Sequence, residues 1–359
     1  MGGFRVVYEY ANRLVARGHE VTVVHPSRVK YPPQESWTVR RWLRRQYVSI
    51  LELYAKPSVE WQPIDNRVDM RFVRNTDPRH IPDGDVLFAT AWHTVRSVLE
   101  CPGTKGEKFY LIQGYEVWQS AKDKIDATWQ APLHKVVISK WLFEIATGLG
   151  CRDVAYIPNA IDHQRYRIIV PIEGRRQQIA MLFSSSEIKG SADGIKALTL
   201  VKEKYPKMSA VLFGTPPRPA DMPGWIEYHR NPPQEFIVKE IYNDSSVFLS
   251  SSWAEGFALP PAEAAACGCA IVATDSGGIR DFIENEVTGL LSAPKNPLAL
   301  ADNLGQLLEN EKLRVRLAKA CSSVIANFSW DRNADQLEMF ISNVLDGQLG
   351  GMNKGPARR

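Results

Sequence analysis

"SSSWAEGFALPPAEAAACGCAIVATDSGG", residues 250–278, sets two apolar runs around a turn and an alanine-rich stretch. SVFLS (246–250) and AIVAT (270–274) are continuous, β-branched and aromatic, the composition of strands buried on both faces. Between them, Pro260 and Pro261 suit the first turn of a helix, where a missing N–H is harmless. Strand, turn, helix, strand is a crossover unit, and it predicts a parallel sheet covered by helices.

The turn itself carries chemistry. The backbone amides of Gly256, Phe257 and Ala258 fall at or just before a helix N-terminus, where free N–H groups and the helix dipole favour an anion such as a diphosphate. Gly256 permits the anion to approach closely. Glu263, one turn into the helix, offers two acceptor-only oxygens that suit the two hydroxyls of a ribose. Glu255, on the loop, meets hydroxyls of a sugar at the other end of the diphosphate. Two acids flanking a phosphate-binding turn describe a nucleotide-sugar site.

The rest of the chain repeats the alternation. FRVVYEYANRLVAR (4–17) has helical spacing, and EVTVV, VDMRFV, DVLFAT, KFYLI, KVVIS and DVAYI follow as strands. After a proline-containing, charged junction at 158–178, a second set runs through IAMLF, SAVLF, WIEYH, SVFLS, AIVAT and VTGLL. The expectation is an α/β chain of two Rossmann-like domains facing across a cleft. Its parts are an acceptor-side domain over 1–160, a nucleotide-sugar-binding domain over 161–328, a helix over 329–346 returning to the first domain, and a flexible Gly-rich, basic tail over 347–359. No strand precedes Gly2 and Gly3, so the first strand of the N-terminal sheet is expected to be missing, which leaves neighbouring edges unpaired.

Composition agrees with this class and removes others. The 359 residues, 44% hydrophobic and 23% charged, suit a two-domain globular chain, and no apolar run is long enough to span a bilayer. A net charge of +4 does not imply nucleic acid, and five scattered cysteines read as reduced thiols. With no secretory signal in the opening residues, the expected location is cytoplasmic. No G-x-G-x-x-G opens either half, which argues against a nicotinamide oxidoreductase.

EGFALPPAEAAACGCAIVATDSGGIRDFIENEVTGLL (255–291) resembles the signature of the family-four retaining glycosyltransferases, the Glu-x7-Glu group of the GT-B fold. The similarity extends through GGFRVVYEYANRLVARGHEVTVV, ISKWL, IPNAID and the NFSW that begins the last helix. The resemblance gives Glu255 and Glu263 the donor-sugar and ribose roles and places Gly256 and Phe257 at the phosphate end. It matches Lys189 and Gly190 of SSSEIKGSADGIKAL to a Lys-Gly pair whose lysine clamps the donor diphosphate as charge grows on the leaving group. Gly2 and Gly3 match a glycine loop near the phosphates, so Gly3 is a donor-side candidate. Ser184 stands where relatives usually carry an arginine, leaving Lys189 and helix amides to meet the charge. His93 is the candidate for a catalytic histidine, in shifted register.

ATAWHT and YLIQGYEVW resemble a narrower group, rhamnosyltransferase-like enzymes of surface polysaccharide assembly. Trp92, His93, Gln113, Tyr115 and Glu116 follow strand ends, where open parallel sheets bind ligands, and are the acceptor candidates. The function implied is metal-independent hexosyl transfer, with retention, from a nucleotide sugar to a glycan or lipid-linked acceptor in surface polysaccharide or glycoconjugate biosynthesis. No cofactor is expected beyond the nucleotide-sugar substrate. Asp83-Gly84-Asp85 has metal-site spacing but lies at the wrong end of its strand. Arg40, Arg41, Arg44 and Arg45, interleaved with Trp42, Leu43 and Tyr47, suit either a solvated helix face or peripheral contact with the inner face of a membrane. A nucleotide-sugar epimerase and a non-catalytic glycan-binding relic are the rival readings.

Overall fold

The computed structural model describes residues 2–28, 59 and 61–347. The arginines at 40, 41, 44 and 45 lie outside the described residues. The chain divides into two compact units: unit 1 contains Met1–Ile138, Leu142–Ile157 and Asp331–Arg359, and unit 2 contains Ser139–Trp141 and Pro158–Trp330.

Unit 1 opens with helix α1 (Gly2–Ala16), whose buried face carries Val6, Tyr10, Ala11 and Val15 at helical spacing. Strand β1 (Thr22–Arg28) pairs in parallel with β2 (Asp69–Asn75), and Tyr8, Ala11, Val15, Val23 and Val68 form the core beneath them. A second parallel sheet holds β3 (Val86–Ala89), β4 (Glu107–Ile112), β5 (His134–Val137) and β6 (Val154–Tyr156) in that order. Among the described residues β1 pairs with β2 alone and β3 with β4 alone, so unit 1 has two sheets with open edges. Helices α2 (Trp92–Leu99), α3 (Lys122–Gln130) and α4 (Lys140–Gly148) follow β3, β4 and β5.

Unit 2 runs β7 (Gln178–Phe183), α5 (Ser191–Lys204), β8 (Ser209–Gly214), β9 (Ile226–Arg230) and a short α6 (Gln234–Phe236) that widens into a π-turn over Ile237–Tyr242. It continues through β10 (Val247–Ser250), α7 (Leu259–Ala266), β11 (Ala270–Thr274), β12 (Leu290–Ser292), α8 (Pro297–Glu309) and α9 (Glu311–Ile325). The last helix, α10 (Trp330–Leu345), returns to unit 1, where Arg17 of α1 meets Asp335 and Glu338. Strand order in unit 2 is β12-β11-β10-β7-β8-β9, all parallel, and every residue of β10 and β11 is buried. The chain moves outward from β7 in one direction through β8 and β9, then restarts at β10 on the other side. That reversal between β7 and β10 is a topological switch point, and ligands of such sheets bind beyond the strand carboxyl ends there.

A buried cation closes the other end of this unit. Arg175 pairs with no carboxylate among the described residues; its guanidinium donates to the carbonyls of Val170, Pro171, Tyr242, Ser245 and Cys267. Burial pushes its pKa below the usual arginine range. Arg175→Ala strands these carbonyls together, and the expected loss in unfolding free energy is about 3 kcal/mol or more, read from the urea midpoint. All five cysteines are free. No helix among the described residues is long and apolar enough to cross a membrane.

Candidate functional site

The loops after β7 and β10 converge at the switch point. After β7 the chain forms a tight turn at Glu187–Lys189 and passes through Gly190 (φ 57°) into α5. Glycine is required there, since a Cβ would lie 2.1 Å from the carbonyl oxygen of Ser251. The Trp253 amide donates to the Ile188 carbonyl at 2.8 Å, and its indole N–H donates to Asp193 at 2.8 Å. These contacts lock the lysine turn to the loop after β10. The Lys189 ammonium then reaches both carboxylate oxygens of Glu255, at 2.7 and 2.8 Å.

Glu255 is held by its backbone as well. Its N–H donates to the Ser276 carbonyl (2.8 Å), and its own carbonyl accepts from Gly278 (3.1 Å). The Trp141 indole lies against Gly277 (φ 87°) so closely that a Cβ there would sit 2.4 Å from the ring. The main-chain N–H of Lys140 donates to the Asp281 carboxylate, tying the start of α4 to the same turn.

Beyond Glu255, the amides of Gly256, Phe257 and Ala258 meet no acceptor among the described residues. Ala258 caps α7 in the left-handed region (φ 73°, ψ 64°), a conformation that costs a non-glycine residue about 1–3 kcal/mol and recurs at ligand-binding sites. The Phe257 ring is buried against Phe282 and Phe328, so that residue has only its main chain to offer a ligand. Glu263 is buried on α7 and accepts from the Tyr242 hydroxyl at 3.3 Å. Ser184 ends its backbone in a hydrogen bond to the Ser191 hydroxyl.

The candidates of unit 1 gather at the ends of β3 and β4. Gly2 and Gly3, expected as a loop, are the first residues of α1, and Gly3 lies against the Gln113 amide. Gln113 donates to the Thr90 carbonyl at 3.4 Å. Trp92 and His93 open α2 and contact each other edge to face, and the Trp92 indole donates to Gln119. Gln119 in turn donates to Glu116 at 3.1 Å. Tyr115 points elsewhere: its hydroxyl donates to Asp126 (2.6 Å), which also binds Lys122. Burial raises the Glu116 pKa and lowers that of His93. The His93 imidazole is therefore expected to titrate below 6.5 by NMR; the stability its neutral form contributes is present above 6.5 and is lost as pH falls through the lowered folded value. Asp83 pairs with Lys105 in an exposed bridge.

Reasoning from residues alone missed Trp253, Asp193, Trp141, Ser276 and the Gly277–Gly278 pair. The adjacent glycines in TDSGG were the one available signal, because a glycine pair after a buried strand marks close backbone approach.

Two Rossmann-type α/β units, the second with its cation, acid and free amides at a switch point, define the fold of the GT-B glycosyltransferases. Residues 162–323 match the family described as Glycosyl transferases group 1. The D-inositol 3-phosphate glycosyltransferase of Corynebacterium jeikeium is 28% identical over 169 residues, 47% of this chain and 36% of the relative. An N,N'-diacetylbacillosaminyl-diphospho-undecaprenol alpha-1,3-N-acetylgalactosaminyltransferase of Campylobacter jejuni is 40% identical over 82 residues, 23% of this chain and 22% of the relative. The matches therefore span about a third or less of those relatives' lengths. Anabaena HepE, solved in complex with UDP, shares the fold at a TM-score of 0.69 and 14% identity, covering 96% of each chain.

Proposed function

We propose that the protein is a retaining glycosyltransferase that moves a hexosyl unit from a nucleotide sugar to a glycan or lipid-linked acceptor. The observation that carries this reading is the Lys189–Glu255 pair beside the free amides of Gly256, Phe257 and Ala258, at the switch point of unit 2. A donor diphosphate sits on those amides and gives Lys189 a second anion. Glu255 then shares its oxygens with hydroxyls of the sugar, and Glu263 holds the ribose.

In the transfer step the bond between the anomeric carbon and the diphosphate oxygen breaks. The acceptor oxygen bonds to that carbon on the same face and its proton passes to the leaving phosphate oxygen, so configuration is retained. Lys189 and the amides stabilise charge that is larger in the transition state than in the bound donor. On this reading the transfer requires no metal, and chelation leaves the rate unchanged. The same reading assigns Gly3 to the donor, His93 to catalysis, and Trp92, Gln113, Tyr115 and Glu116 to the acceptor, Tyr115 through its ring because its hydroxyl is bound to Asp126. The reading extends to surface polysaccharide or glycoconjugate assembly of the rhamnosyltransferase-like kind, in the cytoplasm, with peripheral membrane contact through the arginine cluster.

The test is a melting-temperature screen against UDP-, GDP- and dTDP-sugars, since a ligand bound only by the native state raises Tm. It is followed by nucleotide release with acceptor panels and NMR of the product anomer. Expected are a shift with one nucleotide class and acceptor-dependent release of that nucleotide. Folded protein that binds none of them, or that epimerises the donor without an acceptor, overturns the reading.

A further inference from the structure

We infer that Trp253 is a positioning residue for Lys189: it fixes the backbone of the lysine turn and takes the Asp193 carboxylate out of competition, so that the ammonium is aimed at Glu255. This rests on the role given to Lys189 above and names the residues through which that role is set.

A lysine carries a point charge on a flexible four-carbon stem, so its reach depends on what holds its backbone and on which anions compete for it. The backbone is gripped from the loop after β10. The Trp253 amide donates to the Ile188 carbonyl at 2.8 Å, and the Ser251 hydroxyl donates to the Lys189 carbonyl at 3.3 Å. The indole nitrogen lies so near Gly190 that a Cβ there would stand 3.0 Å from it. From that position the indole N–H reaches α5 and donates to Asp193 Oδ2 at 2.8 Å. One residue thus holds the chain before and after Lys189.

The competing anion is local. Asp193 is the acid in the first turn of α5, four residues beyond Lys189, a spacing at which lysine and carboxylate pair along a continuous helix. Here the helix is not continuous, because Gly190 turns the chain through the left-handed region, and the indole N–H occupies an Asp193 oxygen. Among the described residues Lys189 pairs with both oxygens of Glu255 and not with Asp193. The ring is itself held by a second polar partner: the Lys295 ammonium stands 4.1 Å from its centroid. A cation on the face and an acceptor at the N–H match the charge distribution of an indole, negative over the ring and positive at its edge. Together they fix the orientation in which Trp253 meets Asp193.

Double-variant cycles on the whole protein test this. Urea midpoints of Lys189→Ala, Glu255→Gln and the pair of substitutions give the coupling between the two residues. Repeated in Trp253→Phe, which keeps a ring and loses the N–H, the cycle should return half that coupling or less. Asp193→Ala, which leaves the indole in place, should do the same, and Asp193→Asn, which keeps an acceptor oxygen, should recover most of it. In kinetics, Trp253→Phe should lower kcat about fivefold or more, in line with the loss of one hydrogen bond to a charged group, with the donor KM moving less than about twofold. Trp253→Phe combined with Lys189→Ala should be no slower than Lys189→Ala alone. Coupling unchanged by both Trp253→Phe and Asp193→Ala overturns the inference, as does a rate loss that adds in full to that of Lys189→Ala, the mark of a merely structural role. If the coupling falls as expected while the folded parent transfers no sugar, the transferase reading fails and the positioning of Lys189 stands.

Discussion

Lys189→Ala is expected to lower kcat/KM for sugar transfer by about 10²–10³-fold, the range seen when one charge-stabilising donor is removed from a preorganised site. The effect should appear mainly in kcat if, as proposed, the lysine meets charge that grows as the diphosphate departs. The ion pair adds a second consequence. The Glu255 side chain is only 15% exposed and is held between Lys189 and the backbone of 276–278, so deleting the ammonium leaves a largely buried carboxylate unpaired. Glu255→Gln in the Lys189→Ala background should then recover stability without recovering rate. Steady-state kinetics and urea denaturation of the two variants separate these effects. A Lys189→Ala protein whose kcat is within a few-fold of the parent would remove the lysine from the chemistry.

That pair also shows where sequence stops informing. Glu255 and Glu263 lie on one turn and the helix it enters, so their relation is local and is legible from two prolines and a glycine. Lys189 and Glu255 are 66 residues apart and meet because β7 lies beside β10 in the sheet. Alternating apolar runs predict parallel strands but not the order in which those strands lie side by side. Trp141 is harder still: it belongs by sequence to a helix following β5 and packs in unit 2 on Gly277, a contact that no periodicity encodes. Phe257 was legible as part of the turn, but its ring is drawn into the core with Phe282 and Phe328, since burying an aromatic face outweighs anything it gains beside a phosphate. Gly2 and Gly3 read as a loop because they match the glycine loop of the family the sequence resembles; in the structure they extend α1, whose buried Val6, Tyr10 and Ala11 stripe outweighs glycine's low helix preference.

Gly278→Ala is the substitution expected to do most damage for its size. A Cβ there would stand 2.1 Å from the Gly256 carbonyl oxygen, 2.4 Å from its carbon and 2.7 Å from the Phe257 nitrogen. All three are backbone atoms of the turn proposed to offer its amides to a diphosphate, so no flexible side chain can give way. Relief requires the 276–278 segment to leave Glu255, breaking the hydrogen bond from Gly278 to the Glu255 carbonyl, or the Gly256–Phe257 peptide to move off Phe282. Either route costs about 3 kcal/mol or more and moves the amides and Glu255 together. Gly224→Ala is the control, because a Cβ there meets nothing within 4 Å and its effect should stay within about 0.5 kcal/mol. Urea midpoints and nucleotide-induced Tm shifts on both variants decide the matter. If Gly278→Ala keeps its stability and its nucleotide shift, the turn is loose enough to absorb a methyl group, and a rigid cradle of amides beside Glu255 is not how this protein holds a phosphate.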